Sequence, residues 1–262
     1  MPVARLAIPP SYMSTLVAAR RASFQDGAPA EKIAEASAFA VTRRQASYLV
    51  TNWHVVTHRN PLTNTHDSGY SVLPDRLQVI YPIILGGDLY WGEAEIPLYE
   101  TDGRARWLVH PDHWDDSRID VVAIPLGDLG KQFSPYLLEG ERRGSLGPTS
   151  EVYVVGYPFG VNASAAVWVR GTVASEPQLG FEDERAFLVN ARTWSGQSGS
   201  PVIEYWGAPT PPPVPRSGPD EWRLRGVYSS RPIAGLDLGK VWPVEVIEEI
   251  IDCARRDSMM FE

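Results

Sequence analysis

Ser195-Gly196-Gln197-Ser198-Gly199-Ser200-Pro201-Val202 is the stretch on which the fold turns. It sets a serine between glycines and hands the chain on to a β-type run over 200–205. By itself a Gly-x-Ser-Gly pattern is short and fits any turn serine. Two other islands give it weight. Leu49-Val50-Thr51-Asn52-Trp53-His54-Val55-Val56 is an apolar strand that runs into a histidine. Arg118-Ile119-Asp120-Val121-Val122-Ala123-Ile124-Pro125-Leu126 opens an apolar strand with an acid, whereas the rival acids Asp112, Asp115 and Asp116 sit in a polar loop. The order is therefore His, Asp, Ser, with gaps of 66 and 78 residues.

With these residues in this order the chain resembles the trypsin-like (chymotrypsin-clan) serine peptidases; α/β-hydrolases and subtilisins order their catalytic residues differently. Thr51-Asn52-Trp53-His54-Val55-Val56 is similar to the histidine motif of the HtrA-like branch, and Gly196-Gln197-Ser198-Gly199-Ser200-Pro201-Val202 to the nucleophile motif of bacterial glutamyl endopeptidases. Val152-Tyr153-Val154-Val155-Gly156-Tyr157-Pro158 and Gly226-Val227-Tyr228-Ser229-Ser230 extend the resemblance over roughly residues 37–252. It implies two six-stranded antiparallel β-barrels with a cleft between them. It also implies a serine endopeptidase working through an acyl-enzyme, without a PDZ domain, since 64 residues follow Ser198.

The chemistry asks for these residue types. A serine hydroxyl is a poor nucleophile at neutral pH, so a base must take its proton as it attacks. Histidine can do this and return the proton to the leaving amine. A buried carboxylate on the other ring nitrogen fixes the tautomer and stabilises the imidazolium. Two backbone N–H groups must face the developing oxyanion, each worth about 3–4 kcal/mol. These roles fall to Ser198 as nucleophile, His54 as base and acid, Asp120 as orienter, and the N–H groups of Gly196 and Ser198 as the oxyanion hole. Ser229 matches the family serine that bonds the aspartate. Secreted trypsins carry an aspartate just before the nucleophile to receive a new N-terminal amine; here it is the uncharged Gln197, so that trigger is not expected.

The resemblance also supplies the S1 pocket, with Arg192 at its base, Thr193 on its wall, and Ser229 and Ser230 as further candidates. An arginine at the base would repel a basic P1 side chain and could pair with a carboxylate, which predicts cleavage after Glu or Asp over Lys or Arg. Alternatively Arg192 is paired internally, with Asp183, Glu184 or Asp237, and a small or apolar P1 is preferred.

Outward from the motifs, short β-type runs recur at 37–42, 46–51, 77–84, 106–109, 119–126, 151–157, 166–174, 186–191 and 224–229. Such spacing, without helical periods between, reads as an all-β barrel or sandwich. Residues 11–24 read as a helix or arm, so the expected division is an arm over 1–36, a first barrel over 37–130 and a second over 131–262. The proline-rich tract 207–219 is a stiff hairpin loop rather than a linker, because only about 40 residues follow it. Residues 243–256 place Val246, Ile247, Ile250, Ile251 and Ala254 on one helical face, with Pro243 in the first turn.

Composition closes off other classes. Glycine and proline supply 22 and 23 of 262 residues, an excess that favours turns. A formal charge of −8 argues against a nucleic-acid surface. Neither a signal-type apolar run near the N-terminus nor a stretch of about 20 apolar residues is present, so the expected location is the cytoplasm, with no membrane association. The single cysteine, Cys253, excludes an internal disulfide. His54 with His58, and His110 with His113, have helix-compatible ligand spacing, but neither pair encloses Glu or Cys in a zinc-peptidase pattern. No metal and no cofactor is expected, and His58, His66, His110 and His113 are read as solvated loop residues. Trp53, Trp107, Trp194 and Trp242 are read as packing. The partners expected are a protein or peptide substrate and an activating protein. The rival from another class is a non-catalytic binding module on the same fold.

Overall fold

The computed structural model describes residues 9–22, 30–66, 73–86, 88–113, 119–138, 144–160, 165–206, 221–233 and 235–259. In the first half, eight strands form one sheet: β1 (Ser14–Arg21), β2 (Glu31–Arg43), β3 (Ala46–Thr51), β4 (Arg76–Leu85), β5 (Asp88–Pro97), β6 (Leu108–Val109), β7 (Val122–Pro125) and β8 (Tyr136–Leu137). Their order is β5-β4-β1-β2-β3-β7-β6, and β8 joins β2 in parallel. The second half is a closed antiparallel barrel of six: β9 (Glu151–Gly156), β10 (Val167–Val173), β11 (Phe187–Asn190), β12 (Pro201–Tyr205), β13 (Trp222–Ser230) and β14 (Leu238–Pro243). The all-β, two-part architecture implied by the resemblance stands, with more strands in the first half than expected.

Residues 14–21 correct one reading. Their Ala-Ala-Arg-Arg stretch suits a helix by propensity, yet the segment is a strand paired with β2 on one side and β4 on the other. Burial of Ser14 to Ala19 between two neighbours outweighs a local preference worth only tenths of a kcal/mol per residue. Hence residues 14–21 and 31–36 are strand in the first sheet and not a separate arm. The sheet also passes the expected boundary at 130, since β8 lies beyond it. The tract 207–219 lies outside the described residues, although Tyr205 and Trp222 on either side pair across β12 and β13.

The predicted C-terminal helix is α2 (Val244–Cys253), preceded by Pro243 and closed by Ala254 in the left-handed region. Val246, Ile247, Ile250 and Ile251 are buried, and they join one core with Leu108, Val121 and Ala123 of the first half and Val227 and Trp242 of the second. Its polar side is tied to β2, where Arg43 reaches Asp252 through two bonds of 2.8 and 2.7 Å and Glu248 at 3.2 Å. The helix thus packs across both halves. Among the described residues no helix is long and apolar enough to cross a membrane.

Candidate active site

His54 stands in the short helix α1 (Trp53–Thr57), entered directly from β3. Asn52 Nδ2 donates to the Asp120 carbonyl at 2.6 Å, which holds the histidine and aspartate segments together. Asp120 is 1% exposed, and its carboxylate accepts three bonds. The His54 backbone N–H reaches Oδ1 at 3.0 Å, His54 Nδ1 reaches Oδ2 at 2.8 Å, and Ser229 Oγ reaches Oδ2 at 2.6 Å. Burial, the largest influence, would raise the Asp120 carboxyl; the His54 charge and the bonds from His54 and Ser229 outweigh it and hold the carboxyl below its ordinary value. Asp120 is therefore a buried anion that engages His54 at Nδ1, so that Nε2 is the ring nitrogen turned away from the carboxylate.

The serine-bearing loop is shaped by two glycines in the left-handed region, Gly196 at φ 91° and Gly199 at φ 81°. A Cβ on Gly196 would lie 2.6 Å from the Tyr157 carbonyl, and one on Gly199 2.1 Å from the Ser37 carbonyl, so neither position admits a side chain. The Ser195 carbonyl accepts from the Phe159 N–H at 2.6 Å, and because a trans peptide sets C=O and N–H in opposite directions, the Gly196 N–H points the other way. Neither the Gly196 nor the Ser198 N–H has a hydrogen-bond acceptor among the described residues. The Ser198 hydroxyl donates to the Ser229 carbonyl at 2.9 Å. Ser229 thus touches the aspartate with its side chain and the serine with its backbone. Gln197 is fully buried, and its Oε1 accepts from the Trp194 N–H at 2.9 Å, a neutral brace inside the loop.

The fold therefore brings His54, Asp120, Ser198 and Ser229 to one place from both halves of the chain. Against this geometry, residues 36–208, about two thirds of the sequence, match the family model described as a trypsin-like peptidase domain. The chain belongs to the trypsin-like peptidase family. Among solved structures, the active form of the Rv3671c protease from M. tuberculosis is 14% identical, covering 96% of this chain and 84% of its own, with a TM-score of 0.51. Its inactive form is 15% identical over 93% and 89% of the two chains, with a TM-score of 0.47. The serine endoprotease from Yersinia pestis is 14% identical over 94% and 65%, with a TM-score of 0.49. A comparison with curated protein sequences found no match.

In this trypsin-like peptidase the S1 candidates take distinct positions. Arg192 is exposed, its guanidinium 5.9 Å from the centre of the Trp194 ring. Of its three expected partners, Glu184 is instead paired with Lys240 at 2.7 Å, and no ion pair joins Arg192 to any of them among the described residues. Thr193, the next residue, turns inward: it is 1% exposed and its hydroxyl shares a 2.5 Å hydrogen bond with the Tyr228 hydroxyl. The Tyr228 ring lies over Gly239, where a Cβ would be 2.5 Å from Cε2. Ser230 is half-buried beside Ser229.

Two histidines depart from the reading given to them. His110 and His113 are buried, not solvated. His110 Nδ1 accepts from the Asp112 N–H, so its Nε2 donates to Glu249 of α2, at 2.5 Å; His113 donates to the Ile119 carbonyl at 2.7 Å and packs on Trp53. Each ring is a hydrogen-bonded spacer in the core, and no group of three metal-ligating side chains exists among the described residues. Trp53, Trp107 and Trp242 are core residues, as expected, while Trp194 is 37% exposed. Sequence reading missed Ser37, Asn52, Phe159 and Tyr228, because each acts through backbone groups or partners far along the chain. The one local signal was Ala36-Ser37-Ala38, a serine flanked by small residues that permit close approach.

Proposed function

We propose that the chain is an endopeptidase in which Ser198, His54 and Asp120 act as a catalytic triad. The observation that carries this reading is the Asp120 carboxylate, buried and aimed at His54 Nδ1, beside a serine loop with two unspent N–H donors. In the first step Ser198 Oγ turns from the Ser229 carbonyl and attacks the scissile carbonyl carbon while its proton passes to His54 Nε2. The carbonyl π electrons move to oxygen, which the Gly196 and Ser198 N–H groups receive. Collapse expels the amine with the proton from His54 and leaves Ser198 acylated; water then repeats the sequence and releases the acid. The freed Ser229 carbonyl accepts a substrate amide N–H.

For specificity, the exposed Arg192 and the enclosed Thr193–Tyr228 pair support a small, uncharged P1 side chain over either Lys or Glu. A buried pair of hydroxyls offers no counter-charge to a long ionised side chain, and the Tyr228 ring occupies the space beneath. The reading extends to a cytoplasmic enzyme that is the effector of a bacterial stress or defence system and is switched on by a protein partner. That extension rests on the motif resemblance alone.

The test is hydrolysis of a P1-varied peptide library. Ala-type P1 residues are expected to lead, with turnover reduced about 10⁴–10⁶-fold in Ser198→Ala and unaffected by a chelator. Cleavage led by Lys or Arg would refute the specificity argument, and loss on chelation would refute the triad. A non-catalytic module would also rest its serine hydroxyl on the Ser229 carbonyl; it would give no Ser198-dependent turnover on any library member.

A further inference from the structure

Ser37 of β2 is fully buried and spends every polar atom it has on the parts of the site. Its N–H donates to the Ser198 carbonyl at 2.8 Å. Its hydroxyl donates to the Gly196 carbonyl at 2.9 Å and accepts from the Tyr157 N–H at 2.9 Å. Its carbonyl accepts from Thr51 Oγ1 at 2.9 Å, three residues before His54. One residue of the first half therefore grips the serine loop, the 157–160 segment behind it and the strand that leads to the histidine.

The two carbonyls held by Ser37 belong to Gly196 and Ser198, the residues whose N–H groups stand unspent. Fixing the carbonyl of a residue fixes its ψ, and the φ of Gly196 is free to change because no Cβ opposes it. The Phe159 N–H fixes the peptide plane before Gly196 and the Ser37 hydroxyl fixes the plane after it. Without the second restraint, the plane that lies between the Gly196 and Ser198 N–H groups can turn about the Gly196 φ and ψ, and the two donors lose their common aim. The 2.6 Å between the Ser37 Oγ and the Cβ site of Gly156 shows how closely the hydroxyl is enclosed.

We infer that Ser37 is a positioning residue that sets the oxyanion-binding geometry of the serine loop from the opposite half of the molecule. This rests on the peptidase reading of Ser198. Ser37 touches no reacting atom and acts through the Gly196 and Ser198 backbone.

The experiment compares the parent enzyme with Ser37→Ala, Ser37→Cys and Ser14→Ala, using a peptide substrate and a peptide boronic acid with alanine at P1. Ser14→Ala is the control: its hydroxyl is equally buried and bonds the Val155 carbonyl at 2.7 Å, away from the serine loop. Loss of a direct oxyanion donor costs about 10²–10³ in kcat, so loss of its support is expected to cost about 10–100-fold. KM should stay within about 3-fold and boronate affinity should fall in parallel with kcat, since the adduct is tetrahedral like the transition state. Ser37→Cys keeps a side-chain donor and acceptor at the same position but weakens both bonds, so it should fall in between and serves if Ser37→Ala does not fold. Unchanged kcat and boronate affinity, or an equal loss in Ser14→Ala, would overturn the proposal while leaving Ser198 as nucleophile. If the parent itself shows no Ser198-dependent turnover, the peptidase reading fails and the proposal falls with it.

Discussion

Asp120 takes three hydrogen bonds on two oxygens while sealed from water, and each bond does a different job. The His54 Nδ1 bond selects the tautomer with the proton on Nδ1, which makes Nε2 the basic nitrogen, the His54 backbone bond to Oδ1 fixes the aspartate relative to the start of α1, and the Ser229 hydroxyl gives Oδ2 its second donor. Asp120→Asn should keep the fold yet present an N–H to Nδ1 and so favour the wrong tautomer, lowering kcat by about 10⁴-fold. Because the Asp120 carboxyl is held below its ordinary range, it stays ionised where histidines titrate. The acid limb of kcat/KM should then report a single proton taken up by His54, with activity falling as pH falls. Two protons on that limb would contradict the buried-anion picture. His54, Asp120 and Ser198 were legible as candidates because His54 ends one apolar run, Asp120 opens another and Ser198 is set between glycines ahead of a third. Ser37 was not, since its partner Gly196 is 159 residues away and no local pattern encodes that encounter.

At the scale of elements, β3, β9 and β12 follow the apolar runs that foretold them, and α2 follows its 3.6-residue period. β1 and β5 were missed for opposite reasons. β1 has helix-forming residues but two strand neighbours, and β5, Asp-Leu-Tyr-Trp-Gly-Glu-Ala-Glu-Ile-Pro, is a largely exposed edge whose inward positions in its second half are Gly92, Ala94 and Ile96, too little apolar bulk to mark a strand. The polar side of α2 carries a consequence of its own. Arg185 bonds both Glu249 oxygens, one at 2.7 Å, and His110 of the first half shares the carboxylate. The Arg185 bond is the main reason that the Glu249 carboxyl is held down to about 2. A carboxyl depressed in the folded state adds stability above its unfolded value of about 4.5, and loses it as pH falls towards about 2. Glu249 is 39% exposed, so screening keeps the contribution to about 1 kcal/mol. Glu249→Gln should lower Tm at pH 7 and flatten the loss of Tm between about pH 4.5 and 2; an unchanged acid slope would dismiss this clasp.

Across the whole molecule the two halves are joined more than once. After α2 the chain returns to the first half, where the Val109 N–H donates to the Arg255 carbonyl at 2.9 Å. Asp257 is then buried, with Oδ2 accepting the indole N–H groups of Trp53 at 2.8 Å and Trp107 at 2.9 Å. Trp53 is the residue before His54, so the tail of the chain braces the helix that carries the base. Asp257→Ala leaves two buried donors without partners and should cost about 2–4 kcal/mol of stability, read as a fall in Tm or denaturation midpoint. A neutral outcome would mean that the indoles find other acceptors. None of this was visible in the sequence, where residues 255–259 carry no periodicity and their partners lie far earlier, in the first half.

If Ser198 is a nucleophile made reactive by His54, covalent labelling will find it. The protein is incubated with a fluorophosphonate, digested, and the modified residue located by mass spectrometry. One adduct is expected, on Ser198, formed at a rate that falls by about 10³-fold or more in His54→Ala. Labelling of another serine, or of Ser198 at the same rate without His54, would contradict this expectation.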